Sequence, residues 1–123
     1  MKVIIAGSRS IIPKYREITN ALIKANVHVT EVVSGCAQGV DTVAIGWGYA
    51  EHITVKKFPA DWNKYGKKAG ILRNIEMGDY ADLLLVFWDG KSRGTSHMID
   101  YMNKLGKPVI CVMKKDDVYD SSM

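Results

Sequence analysis

The stretch from Lys2 to Ser10 reads Lys-Val-Ile-Ile-Ala-Gly-Ser-Arg-Ser, an apolar run followed at once by small and cationic residues. The run is short and rich in β-branched side chains, so it predicts a buried strand from Lys2 to Ala6. Its continuation, Gly7-Ser8-Arg9-Ser10, predicts a loop at the carboxyl end of that strand. In parallel sheets, ligands bind beyond this end of the strands.

Further apolar runs of this kind alternate with longer segments of helical periodicity, which indicates parallel strands joined by helical crossovers. They are Val27 to Val33, Ile53 to Phe58, Leu83 to Trp88 and Pro108 to Met113. The sequence therefore predicts an α/β fold: a Rossmann-like open parallel sheet of about five strands, in the order 3-2-1-4-5, with helices on both faces.

Four helical patterns fill the gaps between the predicted strands, and each repeats its apolar residues at helical spacing. Pro13 suits the first turn of the first helix, the Asp41 carboxylate can cap the second, and the fourth opens at Thr95. The residues expected to face the core are Ile18, Ala21, Leu22 and Ala25, then Val43, Ala44, Trp47 and Ala50, then Ile71, Leu72, Ile75 and Tyr80, and finally Met98, Met102 and Leu105.

The length of 123 residues fits one domain, which we expect to be a Rossmann-like nucleotide-binding domain over residues 1–113 with a polar C-terminal tail over residues 114–123. The formal charge of +4 favours anionic partners. Part of the positive charge forms a lysine-rich segment that could equally be a solvated face, and it comprises Lys56, Lys57, Lys64, Lys67 and Lys68.

Cysteine and histidine positions give no sign of a disulfide framework or a metal site. Cys36 and Cys111 lack metal-ligand spacing, and Cys111 lies in an apolar run that predicts a buried strand. His28, His52 and His97 are scattered along the chain. We therefore expect no metal and a reducing, cytoplasmic location, and without a leader or an apolar run of about 20 residues we expect no membrane association.

The loops after strands one, two and four combine glycine with hydroxyl or cationic side chains, and each leads into a helix. Such loops bind phosphate, because the free N–H groups of a helix start attract anions and glycine permits close approach. Taken singly, each loop could also be an ordinary turn. The residues expected to contact the ligand are Gly7, Ser8, Arg9, Ser34, Gly35, Gly39, Asp41, Ser92, Arg93, Gly94 and Thr95.

Two familiar cofactor signatures are missing from the sequence. Gly7 is not followed by the second and third glycines of the dinucleotide fingerprint, and Val33-Ser34-Gly35 offers no acidic residue for an adenosine ribose. The P-loop pattern is missing as well. We therefore expect no NAD-dependent chemistry and no resident cofactor.

These segments resemble the SLOG superfamily, which groups the Lonely Guy phosphoribohydrolases with the DNA-processing protein A of bacterial transformation. Two segments, Ile5 to Arg9 and Val33 to Asp41, resemble signature segments of the DNA-processing protein, and Arg73-Asn74 is similar to its Arg-Asn pair. Small bacterial and phage members of the YspA/YAcAr-like group carry segments similar to Phe58-Pro59-Ala60-Asp61-Trp62, Tyr65-Gly66-Lys67 and Ala69-Gly70. The resemblance implies a Rossmann-like fold, a nucleotide-derived ligand, and Arg73 and Asn74 as ligand-binding residues.

The resemblance to the Lonely Guy enzymes extends to Gly94-Thr95, which matches their phosphate-binding Gly-Thr. Those enzymes place a catalytic Glu three residues beyond the Thr, where this chain has Met98. A thioether cannot act as an acid or a base, so this position argues against hydrolysis. Glu76 and Asp41 are the carboxylates that could replace the missing group, although Glu76 could form a surface ion pair and Asp41 a helix cap.

We weigh three functions. The first is binding of a nucleotide or a nucleotide-derived phosphorylated small molecule for sensing or sequestration. The second is N-glycosidic hydrolysis of a nucleoside monophosphate, against which Met98 argues. The third is binding of single-stranded DNA, against which the modest charge of +4 and the lack of a long basic, aromatic groove in the sequence argue. Trp62 and Tyr65 could stack on a base or simply close a packed corner after the third strand. By analogy with relatives, we also expect a homo-oligomer.

Overall fold

The computed structural model describes residues 1–115. Its five strands are β1 (Lys2–Gly7), β2 (Glu31–Ser34), β3 (Thr54–Lys57), β4 (Leu83–Trp88) and β5 (Val109–Met113). Its five α-helices are α1 (Tyr15–Lys24), α2 (Val40–Ala50), α3 (Trp62–Tyr65), α4 (Ala69–Tyr80) and α5 (Arg93–Lys104), and a 3-10 turn (Gly66–Lys68) joins α3 to α4.

The strands form one parallel sheet in the order β3-β2-β1-β4-β5, which confirms the predicted topology. The first strand lies in the middle, where Val3 pairs with Val32 of β2 on one side and with Leu83 of β4 on the other. The loops after these three strands therefore leave the same edge of the sheet next to one another.

Helices cover both faces of the sheet, as predicted, because successive side chains of β1 point to opposite sides. Val3 and Ile5 pack with α1 and α2, where Trp47 is buried. Ile4 and Ala6 pack with α4 and α5. The helical residues that close the two cores are Ile18, Leu22, Val40 and Ala44 on the first face, and Met77, Met98 and Met102 on the second.

Two predicted boundaries were wrong because local hydrogen bonds divert the chain. Residues 27–30, predicted as the start of the second strand, connect α1 to β2, since Val27 N–H bonds to Leu22 O at 2.9 Å and Thr30 N–H to Met1 O at 2.9 Å. The first helix begins at Tyr15 rather than at Pro13, because the Glu17 carboxylate accepts the Lys14 N–H at 2.7 Å and fixes the helix start there.

Several residues predicted in the core lie at the surface. Ile71 is 49% exposed, since α4 turns Asn74, Met77 and Gly78 inward instead. Cys111 is exposed because β5 is an edge strand, and Leu105 lies at the end of α5, where it is 39% exposed. The predicted polar tail falls mostly outside the described residues.

Candidate functional site

A cavity of about 470 Å³ opens at the carboxyl edge of the sheet, where the loops after β1, β2 and β4 meet the start of α4. A pocket of this size is suited to a small molecule. The predicted ligand residues that line it are Gly7, Ser8, Arg9, Asp41, Arg73, Asn74, Ser92, Gly94 and Thr95.

The loop after β1 is held tightly against the loop after β4. Ser8 N–H donates to Phe87 O at 3.1 Å, and Ser8 Oγ accepts the Asp89 N–H at 3.2 Å. A Cβ at Gly7 would lie 2.1 Å from Phe87 O, so the loops can approach this closely only with glycine here. This packing leaves Arg9 exposed at the rim of the cavity.

The loop after β2 folds around buried Ser34, whose hydroxyl donates to Asp41 O at 3.1 Å and accepts the Cys36 N–H at 3.2 Å. Gly39 precedes α2 with a φ of 75°, and a Cβ there would lie 2.4 Å from Arg9 O. Neither Ser34 nor Gly39 lines the cavity. Both residues shape the loop that carries Asp41.

Asp41 is the second residue of α2 and is 5% exposed. Its carboxylate does not cap its own helix but accepts the Ala37 N–H at 3.3 Å, so it holds the preceding loop. Burial raises the pKa of Asp41 to about 6, against the opposing effects of the Ala37 N–H and the positive charge of Arg73. The cavity therefore contains a carboxyl group that titrates near pH 6.

The side chains of Arg73 and Asn74 bridge two sides of the cavity. Arg73 donates from Nη1 to Gly35 O and from Nε to Asn74 Oδ1 at 3.0 Å. Asn74, which is buried, donates from Nδ2 to Gly94 O at 3.1 Å. The loop after β2 and the start of α5 are thus linked through α4, and burial lowers the pKa of Arg73 while the Asp41 charge opposes that shift.

The start of α5 forms the remaining wall. Asp89 Oδ1 accepts the N–H groups of Lys91 and Ser92 at 2.8 and 2.9 Å, and α5 begins at Arg93, two residues before the predicted Thr95. Gly94 is exposed, and a Cβ there would meet nothing within 4 Å. The first-turn N–H groups of a helix have no partner within it, so they can bind an anion.

Other predicted residues lie outside this cavity. Arg93 and Glu76 are exposed and do not line it, and Gly35 lines a smaller neighbouring pocket of about 130 Å³. Near the site, the Nδ1 of His97 lies 3.2 Å from Asn74 Nδ2.

Several residues that line the cavity were not among the predicted ligand residues, namely Ser10, Ala37, Lys67, Gly70, Ile71 and Asp89. The spacing of Gly70 and Arg73, three residues apart on one helix, is a signal that places them on the same face.

The charge balance of the cavity is slightly positive. Arg9, Lys67 and Arg73 line it together with two carboxylates, Asp41 and Asp89. Within residues 1–115, no three His, Cys, Asp or Glu side chains lie close enough together to hold a metal ion. The arrangement suits an anionic ligand bound by arginine and backbone N–H groups.

Comparison with known proteins identifies the family. The model of the YspA, cpYpsA-related SLOG family matches residues 1–65, slightly more than half of the chain. The chain belongs to this family. The match to the SLOG family model covers the loops after β1 and β2, whereas Arg73, Asn74 and Gly94 lie beyond it.

The chain is also similar to a phage protein. The chain is 44% identical over 85 residues to the Gene 61 protein of Mycobacterium phage D29, an alignment that covers 64% of this chain and 68% of the relative. No solved structure matches. Among residues 1–115, every helix falls short of the length and apolarity that a membrane span requires.

Proposed function

We propose that this protein binds a nucleotide or another phosphorylated nucleoside derivative in the cavity and holds it without cleaving it. The observation that carries the proposal is the meeting of Arg9, Arg73 and the start of α5 at one cavity of about 470 Å³. The three features come from different parts of the chain, and each of them attracts anions. Membership of the SLOG family supports a nucleotide-related ligand.

The phosphate is expected at the start of α5. The exposed backbone at Gly94 lets a phosphate oxygen approach the first-turn N–H groups without an intervening side chain. The hydroxyl groups of Ser92 and Thr95, which lie 3.1 Å apart, add donors at the same wall. Arg9 at the rim supplies a charge that can pair with the remaining phosphate oxygens.

Binding to the folded state is tested by thermal unfolding with the four common nucleoside 5′-monophosphates. We expect a ligand at 100 times its Kd to stabilise the chain by about 2.7 kcal/mol, which raises its Tm. A short single-stranded oligonucleotide at the same phosphate concentration is the comparison. A shift with the oligonucleotide alone would reject the small-molecule proposal in favour of single-stranded DNA binding.

Hydrolysis of the N-glycosidic bond is the second candidate, because Asp41 places one buried carboxyl group in the cavity wall. We expect no release of base, since Met98 also lines the cavity and Glu76 does not. The measurement is chromatography of nucleoside monophosphates after incubation with the protein. Release of free base that is abolished by Asp41→Asn and kept by Glu76→Gln would establish the hydrolase instead.

Location and assembly are part of the same proposal. We place the protein in the cytoplasm, which agrees with the free thiols of Cys36 and Cys111. We also propose a homo-oligomer, and light scattering on the purified chain tests this, since a monomer at micromolar concentration would contradict it.

A further inference from the structure

Trp62 is a large aromatic residue that the core does not use. Its side chain is 50% exposed, and none of the residues of α3 or of the following 3-10 turn is buried. The indole lines both the main cavity and the smaller pocket beside it. A half-exposed tryptophan in a cavity wall offers apolar surface to a ligand rather than to the protein interior.

The position of this indole is fixed by local contacts. Asp61 caps α3, since its Oδ1 accepts the Lys64 N–H at 3.1 Å. The ring lies over Gly70, where a Cβ would be 3.3 Å from the Cη2 atom of Trp62. Glycine at this position allows the six-membered ring to rest against the start of α4. The ring therefore has a defined position, although it does not belong to the hydrophobic core.

Ile71 extends this apolar surface. It follows Gly70 directly, lines the cavity, and is 49% exposed. The cavity thus has two chemically different walls. Trp62 and Ile71 form an apolar wall at the start of α4, whereas Ser92, Gly94 and Thr95 form a wall of anion-binding groups at the start of α5.

We propose that Trp62 and Ile71 form the stacking platform for the base of the ligand, so that the protein recognises nucleotides by base and phosphate together. This inference rests on the proposed function. Aromatic side chains stack on every base because each base has a π-face. The platform consequently selects phosphorylated nucleosides over bare sugar phosphates, and it does so with little preference among the bases.

The test compares ligands with and without a base by titration calorimetry. The ligands are the four nucleoside 5′-monophosphates and ribose 5-phosphate, and the proteins are the parent chain, Trp62→Ala and Trp62→Phe. Trp62→Ala should weaken nucleotide binding by about 5- to 150-fold. It should leave ribose 5-phosphate binding within about twofold, because the phosphate wall is untouched. Trp62→Phe should restore most of the nucleotide affinity.

Tyr65→Ala is the matched control. Tyr65 belongs to the same short helix and is 45% exposed, but it does not line the cavity. We expect this variant to bind nucleotides like the parent. The Tm of Trp62→Ala without ligand should stay close to that of the parent, since α3 buries no residue.

The outcomes separate this inference from the proposed function. The stacking platform is rejected if the parent binds nucleotides and Trp62→Ala binds them equally well. It is also rejected if Trp62→Ala loses affinity for nucleotides and for ribose 5-phosphate to the same extent. In both cases the proposed phosphate site is retained. If the parent binds none of these ligands, the proposed function fails and the platform fails with it.

Discussion

Gly94 is the residue at which one substitution tests the placement of the phosphate. Gly94→Asp introduces bulk and a negative charge at the start of α5, where the backbone is open. We expect nucleotide binding to be lost in calorimetry. Arg93→Ala is the neighbouring control, and because Arg93 is exposed and does not line the cavity, its loss should cost at most one charge-assisted hydrogen bond, about 1.5–3 kcal/mol. Parent-like binding by folded Gly94→Asp would place the phosphate elsewhere.

Asp41 should make the protein less stable as pH rises, which is the opposite of the usual effect of a carboxyl group. Its pKa is about 6 in the folded chain and 3.8 for an unperturbed group, so between these values the folded state holds the additional proton. The free energy of unfolding should therefore fall as pH rises from 4 to 7, by about 2 kcal/mol relative to Asp41→Asn. Urea unfolding of both chains across this range measures the difference.

Asp89 supplies the control for this pH dependence. The N–H groups of Ser92 and Lys91 hold the pKa of Asp89 below 3.8, so its carboxyl group is already ionised in both states over most of the same range. The free energy of unfolding of the parent, relative to Asp89→Asn, should consequently not fall from pH 4 to pH 7. If the parent and Asp41→Asn differed in free energy of unfolding by the same amount at every pH, Asp41 would be ionised in the folded chain.

At the scale of elements, the contact between α4 and α5 depends on Gly78. A Cβ at Gly78 would lie 2.5 Å from the Cδ2 atom of Tyr101, and the Tyr101 hydroxyl also donates to Asp79 Oδ1 at 2.6 Å. Gly78→Ala should push the helices apart and lower the free energy of unfolding by about 1–3 kcal/mol. Denaturant unfolding measures this change.

Gly94→Ala is the matched helical control, because a Cβ there meets nothing. Its stability should be unchanged or higher by less than about 1 kcal/mol, since alanine favours the helix. If Gly78→Ala and Gly94→Ala changed the free energy of unfolding equally, α4 and α5 would not be in close contact at Gly78.

The elements also show where reasoning from the sequence succeeds and where it stops. The strands could be predicted because a buried parallel strand is apolar on both faces, as in Leu83 to Trp88. The segment from Trp62 to Lys68 lacks apolar periodicity, so α3 and the 3-10 turn could not be predicted from it. Asn74 faces inward because it bonds to Gly94 O, a contact that depends on tertiary structure.

At the scale of the whole molecule, the topology was accessible from the sequence and explains the site. The order β3-β2-β1-β4-β5 brings three loops together, and the composition of those loops already predicted an anion-binding site. Which loop residues line the cavity could not be predicted, because Ser34 and Gly39 differ from Ser8 and Gly94 in their contacts rather than in residue type. The role of each candidate ligand residue stays a prediction.

The central place of β1 has a consequence for how the protein is made. This strand leaves the ribosome well before β4, yet it needs β4 as a neighbour, and its Lys2 N–H bonds to the Asp82 carboxylate 80 residues away. Contacts so distant in sequence form late. A half-synthesised chain therefore exposes an unpaired, apolar strand edge that invites aggregation or chaperones. The cavity needs the loops after both strands, so a nascent chain has no cavity until β4 and the start of α5 have left the exit tunnel.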